Sequence, residues 1–156
     1  AAANCQNLSE RPPQSFHEAV QSLWFLFVTL QMESNASSFS PGRLDEFLWP
    51  FYEKDRKAGR LTEQQALEIL EGLWRKLNEI VYMRNANSAK VFAGFPIGFN
   101  IAVGGQDDEG HDFVNELSFL CLKAQEHMVV FLCQLRKFVA GNCVDQGGFI
   151  GNRSLF

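Results

Sequence analysis

The sequence predicts a mainly α-helical chain that contains one short strand. Apolar residues recur at helical spacing in three segments between residues 15 and 84. A short apolar run at residues 99–103 stops at two glycines, which is typical of a buried strand. With 156 residues, the chain is long enough to form a domain with a real core.

The composition argues against several classes of protein. The formal net charge of −4 gives no basic surface for nucleic acid, so we expect no nucleic-acid partner. The longest strongly apolar run, residues 23–28, is far too short to cross a membrane. No signal peptide is recognisable, and Cys5, Cys121, Cys133 and Cys143 lack the CxxC spacing, so we expect reduced thiols in a cytoplasmic protein.

The first predicted helix spans residues 15–32. Residues 1–14 form a polar lead-in that ends in Pro12 and Pro13. Ser15 and Glu18 have the spacing of a capping box. The following residues are apolar on nearly every face, which predicts a helix that is buried almost all round.

The second predicted helix begins at Ser40 and Pro41, with serine as the N-cap and proline at the first helical position. Pro50 lies inside its apolar pattern and is expected to kink or restart the helix. Gly59 is expected to end it.

The second half of the chain contains the clearest amphipathic pattern. Thr62 and Gln65 form a capping box for a helix over residues 63–84. An ordered loop over 85–98 and the strand at 99–103 follow. Asp112 is expected to cap a last helix that runs to about Met128.

The junction at residues 33–45 carries more polar groups than a turn requires. It contains four serines, an asparagine, carboxylates and Arg43 between two apolar helices. This surplus predicts the wall of a pocket, and the alternative is that one serine merely caps the next helix. For Arg43, at the third position of the predicted helix, we expect an ion pair with Glu33 or a substrate carboxylate, the structural pair being favoured.

Motifs in this order resemble the pyruvate formate-lyase-like glycyl radical enzymes. The resemblance covers residues 11–128 as a partial domain of that family. Its motifs are Pro12-Pro13, Phe16-His17-Glu18-Ala19, the junction at 33–45, Tyr52-Glu53-Lys54-Asp55, Gly59-Arg60-Leu61-Thr62, residues 100–105 and Asn115-Glu116-Leu117-Ser118.

The resemblance implies a fold, namely a ten-stranded α/β barrel wrapped in helices. This chain would then be a slice made of wrapping helices and one barrel strand. A lone strand leaves its backbone groups unpaired. Its neighbours lie either in a hidden strand within 129–156 or in sequence absent from this chain, and we expect the second.

The resemblance also implies radical chemistry. An activating enzyme with an iron–sulfur cluster and S-adenosylmethionine installs a glycyl radical, which passes to a cysteine thiyl that abstracts hydrogen from substrate. We expect the thiyl cysteine and the radical glycine to lie outside this fragment, which would bind no cofactor. The full-length protein is expected to be a homodimer.

Family positions matching Ser37 and Ser38 line the substrate pocket. At these positions the formate-lyases have a pattern similar to Ala-Ala, and the glycerol-type dehydratases have one similar to His-Ser. The Ser-Ser pair of this chain matches neither fully. Two hydroxyls suit a small polar substrate and favour a dehydratase or lyase over an acyl-transferring enzyme.

Other candidate sites are given structural interpretations. Gly104 and Gly105 lack the further residues of a phosphate-binding loop and are interpreted as a strand end with close packing. The three histidines lack metal-ligand spacing and are interpreted as surface or capping residues.

The tail at residues 129–156 does not match the family. Gly141 and Cys143 imitate the family's radical glycine and thiyl cysteine, but those belong to separate loops far apart in sequence. A shifted reading frame from about residue 129 is the hypothesis we favour.

Two functions remain open. The first is a fragment of a glycyl radical lyase, formate acetyltransferase-like or diol dehydratase-like, which is inactive alone. The alternative is a non-catalytic helical interaction module that binds partners through apolar faces of the 15–32 and 63–84 helices.

Overall fold

The computed structural model describes residues 2–34, 38–79, 85–87, 90, 98–106, 109–129 and 139–140. Within these ranges the chain is mostly helical, with a parallel sheet of strand order β1-β2-β3. The elements are α1 Ala2–Glu10, α2 Phe16–Ser34, β1 Ser38–Arg43, α3 Leu44–Lys57, α4 Glu63–Glu79, β2 Gly98–Val103, α5 Glu116–Val129 and β3 Val139–Ala140. The predicted class, mainly helical with a short strand at 99–103, is confirmed, and the structure begins that strand one residue earlier, at Gly98.

Residues 1–14 were predicted as a polar lead-in, but residues 2–10 form helix α1. Adjacent alanines favour a helix, and the Asn7 side chain holds α1 on α2 by donating to Glu18 Oε1 at 2.9 Å. The Ser15–Glu18 capping pair is present. The Glu18 N–H donates to Ser15 Oγ at 3.3 Å, and the Glu18 carboxylate accepts from the Gln14 N–H at 2.8 Å.

The predicted helix start at Ser40 and Pro41 is wrong. Both residues lie in β1, and α3 begins at Leu44 with no side-chain cap from Arg43. Strand pairing with a distant segment overrides the local Ser-Pro signal. The prediction for Pro50 was a kink or a restart, and the helix continues through this residue without a restart. Proline removes a single backbone donor there, while buried Leu48 and Tyr52 on either side hold the helix on the core.

Strand β2 has partners within this chain, which corrects the expectation that they are absent. It pairs in parallel with β1 on one side and with β3 on the other. The β1 partner was missed because its Ser-Pro-Gly sequence has low strand propensity. Helices α3 and α4 form the crossover between β1 and β2, as parallel pairing requires.

Helix ends follow the sequence more closely. Thr62 and Gln65 form the predicted reciprocal capping box at 2.9 and 3.2 Å, and Gly59 ends α3 with a φ of 68°. The predicted cap of the last helix is wrong, because α5 begins at Glu116 and is capped by Asn115. Asp112 instead accepts from the Val114 N–H in a tight local turn.

The core lies where α2, α3, α4, β2 and α5 meet. Its largest fully buried apolar side chains are Phe16, Phe27, Leu44, Leu48, Tyr52, Leu67, Leu70, Trp74 and Leu117. The C-terminal half of α2 is different, because Phe25, Leu26, Leu30 and Met32 are exposed there. That helix is therefore buried on one side only, not all round. Within the described ranges, no helix has both the length and the apolar content that crossing a membrane demands.

Candidate functional site

Ser38 lies where the chain enters the sheet after α2. Helix α2 ends at Ser34 and β1 begins at Ser38, whose backbone pairs with Gly98 at the start of β2. Ser37 lies outside the described residues. Of the two predicted pocket residues, the structure thus gives the backbone position of Ser38, at the amino end of two parallel strands.

A β-bulge follows this position in β1. Phe39 pairs with Phe99 and Gly42 with Ile101, so β1 contains one more residue than β2 between these pairs. Ser40 and Pro41 occupy the bulge, which suits proline because it has no N–H to give to a ladder. The left-handed φ of 84° at Gly42 requires glycine.

Arg43 has structural partners at the carboxyl end of β1. It forms an ion pair with Glu46 at 2.6 Å instead of the predicted Glu33, because it precedes the helix and faces its first turn. Its Nη1 donates to the Gln106 carbonyl at 3.0 Å, and its guanidinium lies 5.3 Å from the Phe113 ring centre. These contacts favour the structural interpretation of Arg43 over substrate binding.

The most unusual polar group is Asp45, which is fully buried in the first turn of α3. Its Oδ2 accepts from the Gly104 N–H at 2.6 Å and from the Ser118 hydroxyl. Its backbone carbonyl accepts from Asn115 Nδ2 at 3.3 Å. Among the described residues, its Oδ1 has no hydrogen-bond partner. Asp45 therefore joins α3 to the end of β2 and to the start of α5.

This cluster unites separate sequence motifs. Asp45 comes from the 33–45 junction, Gly104 from the glycine pair and Asn115 and Ser118 from the motif at 115–118. Sequence reasoning did not join them, and assigned the cap of α5 to Asp112. The available signal was the Asn115 to Ser118 spacing, which forms a reciprocal cap with both bonds at 3.1 Å.

The glycine pair is confirmed as a strand end with close packing. Gly104 and Gly105 have φ values of 67° and 104°. A Cβ at Gly104 would lie 3.0 Å from Val114 Cγ2, so glycine is needed for space as well as conformation.

Cys121 lies near Asp45 in the core. Burial raises the pKa of its thiol, and the negative charge of Asp45 raises it further, so the thiolate is disfavoured. Cys5 is exposed on α1, while Cys133, Gly141 and Cys143 lie outside the described residues.

The described histidines are exposed, and two of them have carboxylate neighbours. His127 Nδ1 is 2.7 Å from Glu71 Oε1, and His111 Nδ1 is 3.6 Å from Glu109 Oε2. In the part of the chain that the structure describes, no three His, Cys, Asp or Glu side chains converge as metal ligands.

A groove of about 870 Å³ runs between α2 and α4 and is open to solvent. Its walls are largely apolar, and they include Val20, Trp24, Ile69 and Leu73. The buried Oε1 of Gln21 has no hydrogen-bond partner among the described residues. Two of its polar lining residues, Asp55 and Arg60, bind each other at 2.6 Å.

Comparison with known proteins identifies the chain's relatives. Residues 1–136 match the family described as pyruvate formate lyase-like. The probable dehydratase YbiW of Escherichia coli K12 is 38% identical over 127 residues, which cover 79% of this chain and 16% of YbiW. Isethionate sulfite-lyase of Nitratidesulfovibrio vulgaris is 39% identical over 123 residues, which cover 78% of this chain and 15% of that protein.

A solved structure gives the same relationship in three dimensions. This structure concerns 1,2-propanediol dehydration in Roseburia inulinivorans, and it superposes on the chain with a TM-score of 0.75 at 48% sequence identity. The superposition covers 81% of this chain and 16% of that one. The chain thus spans only about a sixth of the length of these relatives. Because the family match extends over residues 1–136, the chain belongs to the pyruvate formate lyase-like family of glycyl radical enzymes.

Proposed function

We propose that this chain is part of a glycyl radical lyase in which Ser37 and Ser38 line the substrate pocket. The observation that carries the proposal is a pair of adjacent serines at the positions that the family resemblance assigns to the pocket, in a chain whose relatives include a probable dehydratase and a sulfite-lyase. Hydroxyls both donate and accept hydrogen bonds, which alanines at these positions would not do.

The substrate class follows from this chemistry. Isethionate and 1,2-propanediol, which are named for two relatives, are small molecules that carry a hydroxyl group. A serine pair can hold such a hydroxyl while a neighbouring bond breaks. We infer a small hydroxyl-bearing substrate and an elimination, rather than acyl transfer to a thiol.

The radical itself belongs to other parts of the enzyme. The glycyl radical would supply the hydrogen-abstracting chemistry through a cysteine thiyl. Cys121 does not fit that role, because its side chain is fully buried in the core and does not line the groove between α2 and α4. We propose that this chain binds no cofactor and is inactive alone, and that the complete enzyme is a cytoplasmic homodimer with a separate activating enzyme.

Anaerobic activation tests this proposal. The 156-residue chain and the complete family-length protein are each incubated with activating enzyme, S-adenosylmethionine and reductant, and then examined by electron paramagnetic resonance. We expect a glycyl doublet from the complete protein and none from the chain. A doublet from the chain, assigned to Gly141 by substitution with alanine, would contradict the proposal.

Substrate turnover provides the second measurement. The activated complete protein is offered 1,2-propanediol, glycerol and isethionate, with pyruvate and coenzyme A as the acyl-transfer control. Loss of water or sulfite from one of the first three substrates is expected. Formate release from pyruvate would instead place the enzyme with the formate-lyases.

The tail is a separate part of the proposal. We propose that residues 129–156 do not belong to the family domain and arise from a shifted reading frame, although the family match itself extends to residue 136. Resequencing the gene tests this directly. An unbroken frame in independent reads would remove the hypothesis.

The alternative, a helical interaction module, has one supporting observation. Phe25, Leu26, Leu30 and Met32 form an exposed apolar surface on α2. The face of α4 is not available in the same way, because Leu70, Trp74 and Leu77 are buried within this chain. A stable complex of the chain with a partner other than glycyl radical enzyme segments would favour this alternative.

A further inference from the structure

We propose that Asp45 is a positioning residue whose carboxylate fixes the register of β1 on β2 and thereby sets the location of Ser38. The proposal rests on the proposed function for its consequence, because Ser38 matters only if it lines the pocket. The register itself is a property of this chain and is tested without reference to activity.

The parallel pair specifies its own register poorly. Four residue pairs join β1 to β2, and the bulge interrupts them. Pro41 donates no hydrogen bond, and Gly42 and Gly98 carry no side chain to select a partner. Short strands that contain glycine and proline tolerate alternative pairings unless another contact fixes them.

Asp45 provides such a contact at the carboxyl end. It follows β1 by two residues, and Gly104, whose N–H it accepts at 2.6 Å, directly follows β2. The Ser118 hydroxyl and the Asn115 amide hold the same residue from the side of α5. The ends of the two strands are thus joined through a single side chain.

The contact between Asp45 and Gly104 determines the position of Ser38 along β2. A one-residue slip displaces a strand by about 3.3 Å and turns every side chain to the opposite face. Asp45 fixes the carboxyl end of β1 relative to β2, and the bulge accommodates one extra residue of β1. With both in place, Ser38 pairs with Gly98. Loss of the Asp45 carboxylate would free the strand to slip and would move the serine away from a substrate.

The burial of Asp45 favours a positioning role over simple packing. Its side chain is fully buried, and among the described residues its hydrogen-bond donors are uncharged groups. Burying a carboxylate without a cation is costly, and an apolar side chain of the same shape would be the more stable choice for packing alone. Fixing one arrangement among several is a role that a buried polar group can fill and an apolar one cannot.

The test compares Asp45→Leu, Asp45→Asn and Asp55→Leu in the 156-residue chain by nuclear magnetic resonance. Leucine keeps the shape of aspartate but accepts no hydrogen bond, whereas asparagine retains one oxygen. Asp55 is the matched control, because it is also buried in α3 but accepts from the Phe16 N–H of α2. The measured signals are backbone contacts between Phe39 and Phe99, with the Trp74 indole resonance reporting the α4–α5 core.

We expect Asp45→Leu to lose the Phe39–Phe99 contacts while the Trp74 resonance persists. Asp45→Asn should restore these contacts, and Asp55→Leu should retain them despite its own loss of stability. Retention of the native contacts in folded Asp45→Leu would overturn the proposal, as would their equal loss in Asp55→Leu.

A milder variant keeps the proposal testable if Asp45→Leu does not fold. Ser118→Ala removes one of the two donors to Asp45 Oδ2. Amide hydrogen exchange at Gly104 should then accelerate about tenfold, with α4 amides unchanged. Unchanged exchange at Gly104 would overturn the proposal.

If the register shifts as expected but Ser38→Ala leaves turnover of the complete enzyme intact, the proposed function fails and the role of Asp45 in the register stands.

Discussion

At the scale of single residues, two glycines differ in how much space surrounds them, and the difference shows which positions the fold constrains. Gly104 directly follows β2 in a left-handed conformation, lies against Val114 and donates its N–H to the Asp45 carboxylate. Gly72 lies inside α4 on the open groove, where an added Cβ would meet nothing within 4 Å. The same substitution should therefore change stability in opposite directions at these two sites.

We predict that Gly104→Ala destabilises the chain by about 1–3 kcal/mol, because alanine is strained there and approaches Val114 too closely. Gly72→Ala should stabilise it by about 0.5–1 kcal/mol through helix propensity. Chemical denaturation of both variants measures these changes. Equal effects at the two sites would show that the turn at Gly104 is less constrained than described.

Glu18 is the residue whose ionisation links α1 to α2. The Gln14 N–H and the Asn7 amide stabilise its charged form, with help from Arg11, and together they lower its pKa. A carboxylate whose pKa is lowered by folding contributes stability above its unfolded pKa, near 4.5, and loses that contribution as pH falls through the folded value.

We predict that Glu18→Gln lowers the free energy of unfolding at pH 7 and that the difference from wild type shrinks as the pH falls below about 4.5. Denaturation at a series of pH values measures it. Asn7→Ala should reduce the pH-dependent part, because it removes one donor to the carboxylate. A difference that stays constant with pH would show that the charge of Glu18 is not involved.

At the scale of elements, α4 and α5 share the most extensive contact between any two of the described helices. The Trp74 indole donates to Gln125 Oε1 at 2.7 Å, and Leu70 is fully buried nearby on α4. Helix α3 contacts the start of α5, where the Tyr52 hydroxyl donates to Glu116 Oε1 at 2.8 Å. Burial raises the pKa of Tyr52, and the hydrogen bond to Glu116 raises it further. Helix α2 contributes one buried side and leaves its C-terminal apolar residues exposed.

Leu70→Ala is therefore predicted to destabilise the chain by about 2–5 kcal/mol, since it removes buried methyl groups and leaves a cavity. Leu26→Ala, on the exposed side of α2, should change stability by no more than about 0.5 kcal/mol. Thermal or chemical unfolding compares the two. A large loss in Leu26→Ala would mean that this surface is already covered in solution, for example by self-association.

The elements also show how far local sequence determines structure. Both predicted capping boxes and the helical pattern of α4 depend on residues three or four apart, and these were predictable. Strand β1 was not, because its Ser-Pro pair has the local signal of a helix start and its pairing partner lies about sixty residues away. The Asp45 cluster was missed for the same reason, since its contacts span 59 and 73 residues.

At the scale of the whole molecule, the chain spans about a sixth of the length of the relatives that it matches. Its two longer strands are parallel and joined by helices, as in an α/β architecture, and its apolar surface on α2 is left uncovered. The family resemblance predicted both the serine pair as pocket residues and the class of chemistry. Local patterns could not have done so, because a pocket of this kind is assembled from residues distant in sequence.

The most direct test of the serine pocket uses the activated complete enzyme. Ser37→Ala and Ser38→Ala are compared with Ser40→Ala, which alters an exposed serine of β1. We predict that each of the first two lowers kcat/KM by about tenfold or more, with the glycyl radical signal unchanged, because a hydrogen bond to substrate is lost. Ser40→Ala should have no effect. Wild-type turnover in the Ser37→Ala and Ser38→Ala double variant would contradict the central claim that this pair lines the substrate pocket.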